Sequence, residues 1–144
     1  MELGLSAIYR YEKRSKALIP YYESGIQAGF PSPAVDSMER AIDLQEQLIK
    51  NPSSTFIGRV TGTSMKDIGI FDQSLAIIDK SLPVHNGNMV VAWVDDGFTL
   101  KRLHITGDKV YLVPYNKSFK PILLDESNNS CIWGRVTYII NETT

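Results

Sequence analysis

The chain has 144 residues, of which 43% are apolar and 22% charged, with 15 basic against 16 acidic side chains and a formal net charge of −1. That length suits one domain with a working hydrophobic core, and the near balance of charge argues against direct binding to DNA or to anionic lipid. The single cysteine, Cys131, excludes an internal disulfide and fits a reducing compartment; no run reaches the roughly 18 apolar residues of a membrane span, and the charged start MELGLSAIYRYEKRSK lacks a signal peptide's apolar segment, so a cytoplasmic protein without a membrane anchor is expected.

Residues 1–28 carry four basic and three acidic side chains with Tyr9, Tyr11, Tyr21 and Tyr22 in no sustained period, and read as an extended N-terminal arm. In AGFPSPAVD, Ala28 to Asp36, Pro31 and Pro33 fix φ and push the residues before them toward extended geometry, which predicts a solvent-accessible strip. Asp36 and Glu39 have capping-box spacing, and Met38, Ala41, Ile42, Leu48 and Ile49 recur at helical intervals until Asn51-Pro52, so one short amphipathic helix is expected over 37–50. Beyond Pro52 the period becomes two. STFIGRVTG, SLAIIDK, NMVVAWV, FTLKRLHI, KVYLVPY, KPILL and CIWGRVTYII read as seven short strands, with Asp95-Asp96-Gly97 and Thr106-Gly107-Asp108 as tight hairpin turns. The expected fold is mainly β: twisted antiparallel sheets forming a barrel-like domain with one short helix.

A serine at GTSM, Gly62 to Met65, attacks nothing unless a base removes its hydroxyl proton, so the question for Ser64 is where such a base lies. His85 and His104 permit a Ser-His pairing by inventory, but their spacing gives it no support and both read as surface or structural residues. Neither they nor Cys131 form a ligand cluster, and no phosphate loop is present, so no metal or cofactor is expected. In FTLKRLHI, alternation puts Lys101 on one face with Thr99, Leu103 and Ile105, and Phe98, Leu100, Arg102 and His104 on the other. A lysine in apolar surroundings loses its proton more readily and can act as the base toward a serine hydroxyl; the ordinary alternative is a strand lysine that reaches to water. Trp93, Trp133 and Cys131 are assigned to the core.

The blocks GFPSPAVD, GTSMKDIGIFDQSLAIID and GFTLKRL, in that order from about Gly29 to Tyr138, resemble the UmuD-like members of the LexA family of self-cleaving serine peptidases. The resemblance implies a LexA-type peptidase domain with a catalytic dyad of Ser64 and Lys101, 37 positions apart, and oxyanion donors in the backbone amides of Ser64 and Met65. It implies self-cleavage between Ala28 and Gly29, splitting the chain into a removed arm, 1–28, and a peptidase and dimerisation domain, 29–144. The implied partners are a second copy in a homodimer, a RecA filament on single-stranded DNA that stimulates cleavage, and a UmuC-type Y-family polymerase that the processed dimer joins in error-prone translesion synthesis within the SOS response. The sequence departs from the UmuD pattern at Ala28, where a Cys is usual, at Thr63, where an Asp is usual, and at Gln73, where a Gly-Asp turn is expected. Three other readings stay open: a binding module with an idle site that only regulates the polymerase, a LexA-like regulator, and a peptidase that processes other chains. The regulator is disfavoured, because 28 residues without a helix-turn-helix pattern are too few for a DNA-binding domain.

Overall fold

A computed structural model describes residues 3–12, 18–22, 39–63, 65–125 and 129–143. The chain divides into two compact units, one of Met1–Tyr11 with Ser53–Thr144 and one of Glu12–Pro52.

The larger unit is an antiparallel β structure. Its strands are β1 (Gly4–Arg10), β4 (Thr55–Thr61), β5 (Leu75–Asp79), β6 (Met89–Val94), β7 (Gly97–Thr106), β8 (Lys109–Pro114), β9 (Ile122–Leu123) and β10 (Ser130–Ile140). They are ordered β1-β4-β5-β10-β6-β7-β8-β9, and a further pairing of Gly4 with Thr99 joins β1 to β7. Six strands therefore close on themselves as a ring, with β8 and β9 extending from β7. This is the mainly β, barrel-like fold that the alternation predicted, and all seven expected strands are present.

The hairpin chemistry is as the sequence reads. Asp95 and Asp96 both take positive φ, 49° and 64°, to link β6 to β7, and Gly107 takes φ 61° between β7 and β8. Left-handed backbone of this kind suits Asp and Gly, and its twist matches that of the strands it joins. β10 is long enough to serve two neighbours, pairing with β6 through its first half and β5 through its second, with register shifts at Ile132/Gly134 and Val136/Tyr138.

Two apolar clusters fill the unit. One joins Leu3, Val60, Ile70, Ala76, Ile78, Val91 and Leu100; the other joins Val90, Ala92, Leu103 and Leu112. β6 is thus buried on both faces, Val91 toward the first cluster and Val90 and Ala92 toward the second. Near one end, Phe56, Trp133, Phe98 and Trp93 meet edge to face with ring centroids 4.8 to 5.2 Å apart. Cys131, expected in the core, is exposed instead: it precedes Ile132, which packs on the second cluster, and strand alternation sends its thiol outward.

Residues 4–10, expected in an arm without period, form a paired strand. A register shift between Leu5 and Ala7 breaks the two-residue alternation, which hides the strand from a periodicity reading.

In the smaller unit, β2 (Leu18–Tyr22) pairs antiparallel with β3 (Glu39–Asp43), and α1 (Leu44–Leu48) follows. The helix expected over 37–50 is therefore shorter. Its cap is Asp43, whose carboxylate accepts from Gln45 N at 3.0 Å and Glu46 N at 3.4 Å. Ala41 and Ile42, counted toward helical periodicity, face Pro20 and Ile19 in the strand pair. Asp36, the expected cap, lies outside the described residues.

Candidate active site

The loop that carries the GTSM motif leaves β4 and returns to β5 between Thr61 and Ser74. Backbone bonds pin its base: Val60 N donates to Ser74 O at 2.8 Å, and Gln73 N to Val60 O at 2.7 Å. Arg59 adds a guanidinium bond to Gln73 O at 2.9 Å, and Asp72 accepts from Gly62 N at 3.2 Å. Within the loop, Met65 and Ile70 exchange backbone bonds, Met65 N to Ile70 O at 2.7 Å and Ile70 N to Met65 O at 3.1 Å. Between them Lys66–Ile68 make a 3-10 turn that ends on Gly69 at φ 71°, a left-handed position open to glycine. Ile70 is fully buried and Met65 packs on the same cluster, so apolar anchors hold the loop to the barrel.

Ser64 lies outside the described residues, as do Ala28 and Gly29. Its neighbours are described, and they bear on the expected oxyanion donors. The Met65 amide has a single N–H, and that proton is directed at Ile70 O. Met65 is therefore engaged in the turn, and as an oxyanion donor it would first have to break that bond.

Lys101 stands in the middle of β7, opposite Val90 on β6 and Pro114 on β8. The burial of β7 follows the predicted alternation from Lys101 onward, whereas Leu100, predicted on the face of Arg102 and His104, is buried in the first cluster. Lys101 and Leu103 are buried whereas Arg102 and His104 are exposed. At 1% exposure Lys101 is among the largest fully buried side chains of the protein, on the strand face shared with Leu103 of the second cluster. Desolvation disfavours its ammonium form and lowers its pKa from 10.5 to about 8. A substantial share of neutral amine at physiological pH follows, which an exposed lysine would not have.

A second ionisable group with a shifted pKa that the sequence reading passed over is the half-buried Tyr115, the residue after Pro114. Burial raises its phenol to about 12, a shift opposed by the charge of Arg102, so it remains a protonated hydroxyl. Its signal was available, since it ends the apolar run KVYLVPY. His85 and His104 are both exposed, as read from the sequence. Among the described residues no group of three or more His, Cys, Asp or Glu stands ready to hold a metal ion, and no helix is long and apolar enough to cross a membrane.

The fold and this lysine define a class: a β-barrel-like protein with a desolvated amine that titrates close to neutrality. Comparison with known proteins gives the family. The family described as Peptidase S24-like matches residues 20–137. Protein MucA of Salmonella typhimurium and of Escherichia coli is 40% identical over 125 residues, covering 86% of this chain and 85% of the relative. Protein SamA of Salmonella typhimurium is 36% identical over 124 residues, covering 86% of each. The chain belongs to the Peptidase S24-like family of serine peptidases, the UmuD- and LexA-like group that its ordered motifs resemble.

Proposed function

We propose that this protein is a self-cleaving Ser-Lys peptidase of the UmuD type, acting in SOS mutagenesis. The observation that carries the reading is the full burial of Lys101 on β7, which supplies a neutral amine where the family resemblance calls for a base. In this reading neutral Lys101 takes the proton from Ser64 Oγ as the oxygen attacks the carbonyl carbon of Ala28. The Ser64 amide stabilises the oxyanion, joined by Met65 only where its bond to Ile70 opens. As the C–N bond breaks, the Lys101 ammonium returns the proton to the departing Gly29 amine. Water then hydrolyses the Ser64 ester with Lys101 again as base, leaving a carboxylate at Ala28 and a new N-terminus at Gly29.

Carrying the scissile bond on the same polypeptide gives a high effective molarity and removes the need for a broad substrate-recognition surface. It also calls for a trigger, and the resemblance supplies one in the RecA filament on single-stranded DNA. The processed chain, 29–144, would then dimerise and join a UmuC-type Y-family polymerase for translesion synthesis in the cytoplasm.

The test is incubation of the purified chain at pH 9 to 10, followed by N-terminal sequencing. A fragment beginning at Gly29, absent in Ser64→Ala and in Lys101→Ala, is the expected result; an intact chain, or equal cleavage in either variant, refutes the dyad. Adding active protein to the Ser64→Ala chain and to an unrelated polypeptide separates self-processing from a peptidase that acts on other proteins.

A further inference from the structure

The strand that closes the barrel comes from the wrong side of the proposed cut. β1 lies N-terminal to Ala28–Gly29, and every other strand of the ring lies C-terminal to it. Hydrolysis of that one bond would leave β1 in the sheet with no covalent tie to it.

The seat of β1 is built in detail. It runs antiparallel to β4 from Gly4 opposite Thr61 to Arg10 opposite Phe56, and Tyr11 N adds a bond to Thr55 O at 3.0 Å. On its other side Leu3 O accepts from Leu100 N at 3.2 Å and from the buried Thr99 hydroxyl at 2.7 Å. Leu3 is 2% exposed within the first cluster. The next two residues are shaped to the seat: a Cβ on Gly4 would stand 3.2 Å from Phe98 O, and Leu5 fills a notch left by Gly58, where a Cβ would come to 3.0 Å from it. The site therefore recognises an extended backbone through β4, and an apolar-Gly-apolar pattern through its pockets.

We propose that the seam between β4 and β7 is a strand-binding site whose ligand is the segment Leu3–Arg10, and that self-cleavage converts this segment from part of the chain into a seated, exchangeable peptide. The inference rests on the cleavage reading for its trigger. The seat itself does not depend on it. Without the strand, β4 would present an unpaired edge beside an opened apolar cluster, the kind of surface that takes up another extended segment.

The test uses the full chain with the recognition sequence of an unrelated, sequence-specific protease inserted between Ser24 and Gly25, so that cutting does not require Ser64 or Lys101. After cutting, size exclusion followed by mass spectrometry should find the N-terminal fragment eluting with the body. A fluorescent peptide of residues 1–12 should exchange into the cut protein and not into the uncut one, and the same peptide with Leu3→Asp should bind at least tenfold more weakly. Separation of the fragment on cutting, whether or not the body stays folded by circular dichroism, overturns the proposal. So does equal binding of the two peptides. Failure of the untreated chain to cleave itself at alkaline pH would count against the dyad alone and leave the strand site standing.

Discussion

Lys101 lies between Val90 and Pro114, paired to one across β6 and to the other across β8, and neither neighbour can carry charge. Burial desolvates the amine and lowers its pKa from 10.5 to about 8. For a base the active form is the neutral one, so activity should rise with pH until that form dominates. Between pH 7 and pH 9 the neutral share climbs from about a tenth to about nine-tenths, so self-cleavage should accelerate roughly ninefold and then flatten. First-order rates of fragment appearance across pH 6 to 10 check this. A rate that keeps climbing toward pH 10.5 would place the base outside the barrel.

The same burial costs stability at neutral pH. Folded Lys101 releases its proton near pH 8 and the unfolded lysine near 10.5, so between these values the unfolded state holds more protons and stability rises with pH. Below pH 8 the full cost of the buried charge applies, about 3 kcal/mol from the shift of the folded pKa. Lys101→Met keeps the length and removes the charge. We expect it to abolish cleavage and to raise the urea midpoint at pH 7, by a margin corresponding to about 1–3 kcal/mol, with the advantage shrinking by pH 10.5. Paired urea titrations at the two pH values measure both changes.

The strands from Thr55 onward were legible because they are short β-branched and aromatic runs, and Asp96-Gly97 and Gly107-Asp108 mark the turns on either side of β7. Lys101 belongs to that legible part, since Leu103 and Ile105 on its face announce its burial. The first 50 residues follow other rules. A register shift at Leu5/Ala7 destroys the period of β1, and α1 starts on Asp43, whose side chain bonds two amides of the following turn, after a strand that the helical spacing of Ala41 and Ile42 concealed. The engagement of the Met65 amide depends on a partner five residues away and on the left-handed turn at Gly69, which no local pattern announces. Cys131 was misplaced for a simpler reason. Its small apolar character suggested burial, whereas the parity set by Ile132 decided against it.

Gln73 shows how a departure from the family pattern registers in the backbone. It takes φ 72°, a left-handed conformation that β-carbon-bearing residues adopt at a cost of roughly 1–2 kcal/mol. Its side chain is exposed, and the bonds that fix the loop base use its backbone N and O. Gln73→Gly relieves the strain while loosening the unfolded chain by about 0.5–1 kcal/mol, so a net gain of about 0.5–1 kcal/mol is expected. Thermal unfolding should show a small upward shift. A loss of stability would mean that the Gln73 side chain makes contacts that outweigh the strain.

Gly134 sets the opposite constraint. It sits in β10 opposite Val91, beside a register shift, where a Cβ would lie 2.6 Å from Ile78 Cγ2 and 3.4 Å from Lys80 Cγ. Ile78 is fully buried, so it has little room to yield. Gly134→Ala should therefore cost about 1–3 kcal/mol by overpacking, in contrast to the mild effect expected for an alanine in an open strand. Ile78→Ala alone should cost about 2–5 kcal/mol by leaving a cavity. Because the methyl added at 134 would occupy space that the second substitution vacates, the double variant should be more stable than the sum of the two losses implies, by about 1 kcal/mol or more. Urea unfolding of the four proteins forms the cycle, and strict additivity would show that the two positions do not share that space.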